Sequence, residues 1–226
     1  MKVLELFAGT RSMSKAFEAA GHEAYTIELD EQHENISMYA DVLTVTPEMI
    51  LKEFGRPDII WASPPCTSYS IAAISHHRTR EDNENLLPKS EFAKVSDELV
   101  KHTLYLIQRL RPKYWFIENP RGGMRKMDFV QMLPRYTVTY CQYGCFRMKP
   151  TDIWTNHTDP QFKPMCKNGD SCHEAAPRGS KTGTQGLKNA KDRSVIPQGL
   201  CEHIVKISEG GAKCLTKSGV TVKQTS

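Results

Sequence analysis

A chain of 226 residues with 30 Lys and Arg against 26 Asp and Glu, a net charge of +4, is large enough for one α/β domain with a complete core and leaves little room for a second. No run approaches ~18 consecutive apolar residues, which excludes a membrane span, and Met1 leads directly into an apolar segment without a charged leader, so a soluble cytoplasmic protein is expected. The slight basicity leans toward a polyanionic partner, and seven cysteines without a repeating framework are expected to be free thiols.

Residues 2–7 read as a short buried strand, Ala8-Gly9-Thr10-Arg11-Ser12 as a turn, and the next segment as a helix with Met13, Ala16, Phe17 and Ala20 on one face and Gly21 at its end. A second strand over 24–29 ends in Glu28-Leu29-Asp30. This is the order of a nucleoside-binding βαβ unit, although a βαβ unit without ligand has the same pattern. A turn at Ala40-Asp41, a helix over 47–54 and an apolar run over 58–62 then deliver Ser63-Pro64-Pro65-Cys66, whose prolines restrict the backbone just before the cysteine.

Residues 67–90 are polar and predict a long loop, of the kind that is functional or disordered. Its basic run His76, His77, Arg78 and Arg80 could meet phosphates, as could a merely solvated loop. Ser96 is expected to cap a helix with Leu99, Thr103, Leu106, Ile107 and Leu110 on one face, with Pro112 beyond its end. A strand over 114–117 then leads to Glu118-Asn119-Pro120. After Arg121-Gly122-Gly123 come a short helix within 124–133 and strands at 136–140 and 152–154, bracketing Gln142 to Pro150. Trp61 and Trp154 are expected in the core. From 155 to 193 the composition shifts to Gly, Pro, Lys, Asn and Ser, an irregular excursion with little core of its own. Leu200, Ile204 and Ile207 form a helical stripe within 195–207, and the tail from Ser208 is expected to be poorly ordered.

Cys66 and Glu118 both fall at the carboxyl edge of a strand, where open α/β sheets build their ligand crevice. A thiol nucleophile beside a carboxylic acid suits addition to an electron-poor ring that must be protonated as the thiol adds. Taken alone, Glu118 would be a solvent-facing glutamate and Cys66 a structural thiol. Pro-Pro before the cysteine and Asn after the glutamate favour the chemical reading.

Phe7-Ala8-Gly9, Glu28-Leu29-Asp30, Asp41, Pro64-Pro65-Cys66 and Glu118-Asn119 stand in the order of the first, second, third, fourth and sixth motifs of the DNA cytosine-5 methyltransferases. The chain resembles that family from Met1 to about Pro120, and more loosely to Trp154. The resemblance implies a Rossmann-like S-adenosylmethionine-dependent methyltransferase fold: α/β, with a mixed, mostly parallel seven-stranded sheet and helices on both faces. It divides the chain into a catalytic core over 1–154, a reduced target-recognition region over 155–193, a helix returning to the core over 194–207 and a flexible tail over 208–226.

It also implies roles. Phe7 would pack on the adenine of S-adenosylmethionine, Glu28 hold the ribose hydroxyls and Asp41 meet the exocyclic amine, with Ala8, Gly9, Thr10, Arg11, Ser12, Leu29, Val42, Ser63 and Pro64 around them. Cys66 would add to C6 of a cytosine flipped from duplex DNA while Glu118 serves N3. Pro65, Ser68, Ser70, Asn119 and Pro120 would line the base pocket, Arg78 and Arg80 would reach the DNA, and Arg178 is a candidate reader of guanine. Lys181, Lys188, Lys191 and Arg193 add basic character to the excursion. A monomer is expected, and a partner restriction enzyme, as in restriction-modification systems, would be a separate chain. The compact core also suits a phage or virus.

There are departures from the family pattern. Arg11 replaces the second glycine of Phe-x-Gly-x-Gly, and Pro120 follows Asn119 where valine is usual. The eighth motif, Gln-x-Arg-x-Arg after Tyr-Gly, is represented by Tyr143-Gly144-Cys145-Phe146-Arg147-Met148-Lys149. Alignment on the basic pair puts Arg147 and Lys149 at the two arginines; alignment on Tyr-Gly puts Arg147 at the glutamine and Lys149 at the first arginine. Both remain open, and either way the two residues are candidates to contact the base or a phosphate. The short excursion implies a short or degenerate recognition sequence. It also admits an RNA (tRNA) cytosine-5 methyltransferase, and the altered motifs admit an inactive nucleic-acid-binding protein. Cys166, Cys172 and His173, with Cys201 and His203 downstream, raise the prospect of zinc in a segment too poor in apolar residues to fold by burial, though the spacing matches no standard pattern and leaves a fourth ligand unassigned.

Overall fold

The computed structural model describes residues 1–80, 86–175, 187 and 189–210; Arg178, Lys181, Lys188 and the tail beyond 210 lie outside them. In chain order the elements are β1 (Lys2–Leu6), α1 (Ser12–Ala19), β2 (Glu23–Glu28), β3 (Met38–Tyr39), α2 (Pro47–Glu53), β4 (Ile59–Ala62), α3 (Ile74–His77), β5 (Arg78–Arg80), β6 (Leu86–Pro88), α4 (Glu91–Leu110), β7 (Tyr114–Pro120), α5 (Asp128–Gln131), β8 (Arg135–Thr139), β9 (Pro150–Thr155), α6 (Ala190–Ser194) and α7 (Gln198–Ser208). Seven strands form one sheet in the order β3-β2-β1-β4-β7-β9-β8. The first five run parallel, and β9 pairs antiparallel with both β7 and β8.

Alternation along the central strands divides the core between the two faces. Leu4, Leu6, Ile60, Ala62 and Ile117 join Val100, Leu106 and Leu110 of α4 on one side. Val3, Ile59, Trp61 and Phe116 join Met13 and Phe17 of α1 and Leu200 and Ile204 of α7 on the other. Trp61 and Trp154 are both fully buried, as expected. Glu118, two residues beyond Phe116, shares the α1/α7 face. So does Glu5, fully enclosed there, which accepts hydrogen bonds from the amides of Met13 (3.3 Å) and Ser14 (2.8 Å) and from the Ser14 hydroxyl. It thereby caps the start of α1 from within β1, and burial pushes its carboxyl up to about 7.

The order reverses between β1 and β4, so the loops after their carboxyl ends part to either side and open a crevice. The loop after β1 is bent by left-handed backbone at Phe7 (φ 57°), Gly9 (φ 48°) and Arg11 (φ 57°). Arg11 stands where the family pattern has glycine, and a left-handed non-glycine costs roughly 1–2 kcal/mol. Helix α7 lies against the turn Tyr140–Tyr143 so closely that a Cβ on Gly199 would sit 2.8 Å from the Tyr143 carbonyl oxygen.

Two expectations are corrected. Ser90, not Ser96, caps α4, its hydroxyl accepting from the Ala93 amide at 3.1 Å; Ser96 lies a turn and a half inside, where its hydroxyl donates to the Phe92 carbonyl at 2.7 Å. The polar stretch after Cys66 is not a plain loop: it contains α3 and the antiparallel pair β5–β6. The short edge strand β3 stands just before the turn expected at Ala40-Asp41. Among the described residues, no helix is long and apolar enough to cross a membrane.

Candidate active site

The site assembles on the carboxyl edges of β1, β2, β4 and β7. Pro64-Pro65-Cys66 leaves β4 and turns at once into the 3-10 turn Thr67–Tyr69. Glu118 and Asn119 belong to β7, which runs to Pro120 because it pairs with Thr151–Thr155 of β9. Asn119 is fully buried, and its Nδ2 donates to the Pro64 carbonyl at 3.0 Å, tying the two segments together. Its Oδ1 has no partner among the described residues. Behind them, Gly122 passes so near the Tyr69 carbonyl that a Cβ there would overlap it.

Cys66 is half-buried. Burial pushes its thiol up, Lys149 pulls it down, Glu118 pushes it up and Arg193 pulls it down. The Glu118 side chain, in a residue only 6% exposed, accepts a hydrogen bond from the Tyr140 hydroxyl at 2.9 Å. Burial and that carboxylate raise the Tyr140 phenol well above its usual range, so it remains a donor at neutral pH. Lys149 Nζ lies 4.7 Å from the centre of the Tyr140 ring and donates to the Arg193 carbonyl at 3.2 Å. Cys66, Glu118, Tyr140, Lys149 and Arg193 thus form one electrostatic group. Replacing Lys149 with Gln removes a cation that favours the thiolate, so the pH profile of Cys66 alkylation should move to higher pH, with several-fold slower labelling at neutral pH. Mass spectrometry of the Cys66 peptide reads this; an unchanged or acid-shifted profile contradicts the arrangement.

Arg147 differs from Lys149. It is buried, its Nε donates to the Cys145 sulfur at 3.1 Å, and one terminal nitrogen, Nη1, is enclosed without a hydrogen-bond partner among the described residues. It lines an open depression of about 450 Å³ between the segments Tyr143–Arg147 and Val195–Glu202, which does not include Cys66 or Glu118.

On the other side of the crevice, Glu28 Oε2 accepts from the Gly9 amide at 2.9 Å and Oε1 from the amides of Leu29 (2.8 Å) and Asp30 (3.0 Å). Three of a carboxylate's roughly four acceptor positions are thereby used, leaving one for a ligand hydroxyl. Asp41 Oδ1 accepts from the Leu43 amide at 3.0 Å. Half-buried Phe7 closes β1; Ala8 and Val42 are buried, and Leu29 is largely exposed. Ser63 Oγ accepts from the Trp61 indole at 2.9 Å. Thr10 and Ser12 share a hydrogen bond of 2.8 Å, and the Ile196 amide donates to Ser12 Oγ at 3.4 Å, bringing the segment before α7 onto this loop. Arg11 pairs with Glu18 of α1, the helix it precedes. An aromatic ring, an acceptor position for one ribose hydroxyl and an amine acceptor around a left-handed glycine fit a nucleoside-bearing ligand such as S-adenosylmethionine.

The structure corrects two substrate assignments. Arg78 has a fully buried side chain: its Nη2 donates to Asp97 Oδ1 at 2.6 Å, Nη1 to Oδ2 at 3.1 Å and Nε to the Ser68 carbonyl at 3.0 Å, and the guanidinium lies 4.4 Å from the Tyr69 ring centre. Ser68 is buried beside it, its hydroxyl accepting from the same guanidinium at 3.3 Å. Both hold the turn after Cys66 rather than reaching outward, because a buried guanidinium needs the Asp97 carboxylate to balance its charge and the Ser68 oxygens to complete its hydrogen bonds. Pro65 and Ser70 are half-buried at the crevice, Pro120 is half-buried in β7, and Arg80 is exposed on β5. Cys166, Cys172 and His173 gather elsewhere, with Cys141. Cys201 is buried in α7, and His203 hydrogen-bonds the Pro160 carbonyl at 2.7 Å. Tyr140 and Arg193 were missed as members of the site. Tyr140 read as strand core and Arg193 as a basic residue of an irregular excursion, and nothing local marked either.

A model of the family described as C-5 cytosine-specific DNA methylase matches residues 1–137. Over 183 residues the chain is 31% identical to a frog virus 3 (isolate Goorha) protein named "Probable DNA (cytosine-5)-methyltransferase", covering 76% of this chain and 78% of that one. A crystal structure from E. coli, titled as a prophage-encoded DNA modification methyltransferase, superimposes with a TM-score of 0.52 at 18% identity. That match covers 69% of this chain but only 46% of the E. coli protein, and it speaks for the fold alone.

Proposed function

The chain belongs to the C-5 cytosine-specific DNA methylase family, and from that premise we propose that it transfers a methyl group from S-adenosylmethionine to C5 of cytosine in duplex DNA. The observation that carries the reading is the joining of Cys66 and Glu118 at neighbouring strand ends, with Asn119 hydrogen-bonded to the carbonyl of Pro64.

In this reading the cytosine leaves the duplex stack, at a cost of a few kcal/mol recovered in binding. Cys66 adds as the thiolate to C6, and Glu118 delivers a proton to N3 as negative charge moves onto the ring, which makes C5 nucleophilic. Lys149 and Arg193 favour the thiolate that burial disfavours. Tyr140 fixes the Glu118 carboxyl, donating to one oxygen and leaving the other for the base. Phe7, Glu28 and Asp41 would hold S-adenosylmethionine, which would supply a sulfonium-activated methyl group for C5. Methyl transfer to C5 would leave S-adenosylhomocysteine; loss of the C5 proton to water, with return of the N3 proton to Glu118, would then let the C6–sulfur bond break and free Cys66 as the thiolate.

The test offers labelled S-adenosylmethionine with unmethylated duplex DNA and, separately, with tRNA, to wild type and to Cys66→Ala. Wild type is expected to make 5-methylcytosine in DNA, and the alanine variant none. Sequencing the product is expected to show a site of fewer than about five bases, because the segment between β9 and α6 is too short for an extended groove reader. Methylation of tRNA alone would assign the chain to the RNA reading instead, and product from Cys66→Ala would overturn the nucleophile.

A further inference from the structure

The segment from Asn156 to Ala175 contains no helix or strand, and its apolar side chains are few. It is nevertheless held against the end of β8, where the Cys166 amide donates to Thr139 Oγ1 at 3.1 Å. At that contact four soft ligand atoms from three separate stretches converge: the sulfurs of Cys141, Cys166 and Cys172 and Nδ1 of His173, all within 4.8 Å of one another.

We propose that Cys141, Cys166, Cys172 and His173 bind one structural zinc ion. A tetrahedral Cys₃His site with ordinary zinc–sulfur and zinc–nitrogen bonds has sulfur–sulfur edges of about 3.8 Å and sulfur–nitrogen edges of about 3.6 Å. The observed edges are 3.6 Å for Cys172–Cys141, 3.7 Å for Cys166–His173 and 3.6 Å for Cys172–His173. The Cys141–Cys166 edge, 3.0 Å, is the tightest and opens when the ion is seated. A disulfide explains the cluster less well. It would join two of the sulfurs, leave the third thiol and the imidazole without a partner, and require about 2.05 Å where 3.0 Å is found.

Four protein ligands fill the tetrahedron, which marks a structural site rather than one with an open position for chemistry. Gln142 Nε2 donates to the Cys172 sulfur at 3.5 Å, the outer hydrogen bond that thiolate ligands characteristically accept. The ion replaces the apolar burial this segment lacks. It also clamps the segment to Cys141, the residue after Tyr140, whose hydroxyl holds Glu118. The site therefore braces the active-site wall without taking part in the reaction.

The test is metal content of the full chain, expressed with zinc and purified without chelator, followed by cobalt(II) exchange. About one zinc per chain is expected, together with thiolate-to-cobalt charge-transfer bands and tetrahedral d–d bands. Cys172→Ser should lose most of the zinc. His173→Cys, which keeps a four-ligand tetrahedron, should retain it and gain thiolate-to-cobalt absorption, so misfolding of one variant does not decide the matter. Wild type without zinc and without tetrahedral cobalt bands, a Cys141–Cys166 disulfide in that protein, or zinc content unchanged in both variants with no change in the cobalt spectrum would each overturn the site.

Discussion

Glu118→Gln is expected to slow methyl transfer by about 10²–10⁴-fold, the range that a positioned proton donor contributes. Glutamine has the same shape, and its amide oxygen can still accept from the Tyr140 hydroxyl that now sits 2.9 Å from Glu118. It has no ionisable proton to give as charge reaches N3. The same substitution removes a negative charge that disfavours the Cys66 thiolate. Alkylation of Cys66 at neutral pH should therefore become faster while methylation becomes slower. Opposite movement of the two rates separates a lost acid from a disordered pocket, which would impair both. Single-turnover methylation within tenfold of wild type would remove Glu118 from the role of acid.

Asp97→Ala should cost about 3–5 kcal/mol of unfolding free energy, the range for breaking a buried ion pair from one side. Arg78 has a fully buried side chain, and both oxygens of Asp97 accept from its guanidinium; Asp97 also accepts from the Tyr69 hydroxyl at 2.7 Å. Removing the carboxylate leaves a guanidinium and a phenol without their acceptor in a region closed to water. Against a domain stability of about 5–15 kcal/mol this is a large share. Arg78→Met combined with Asp97→Leu should cost much less than Asp97→Ala, because no lone charge is left behind. Equilibrium denaturation of wild type and the two variants checks this, and an Asp97→Ala loss under about 1 kcal/mol would mean that water reaches the pair.

The strands and helices that build the crevice were legible because burial on both faces of a parallel sheet writes continuous apolar runs, and both ends of each run fall at a turn signal. Residues 2–7, 24–29 and 58–62 each predict a strand that the structure contains within a residue or two. The motif residues were legible for a different reason: Phe7, Glu28, Cys66 and Glu118 fall at or just beyond the ends of such runs, on the carboxyl edge of the sheet, and Asp41 falls at a turn. Errors came where local signals compete. Ser90 and Ser96 are both serines before helical periodicity, and only the packing of α4 places Ser96 inside it, buried. Arg78 sat in a polar, histidine-rich stretch and suggested a phosphate contact, while its partner Asp97 is 19 residues away on α4.

By itself the sequence determined the α/β class, the order of the nucleoside-site residues, the Cys66 and Glu118 pairing and the family to which these belong, since all of these reside in short strings whose meaning is local. Only the tertiary structure decided that Tyr140 holds Glu118, that Lys149 and Arg193 act on Cys66 while Arg147 is enclosed nearby, and that Cys141 completes a cluster with Cys166, Cys172 and His173. The physical reason is separation along the chain. These contacts join residues from 22 to more than a hundred positions apart, and no propensity or periodicity records which of them burial will bring together.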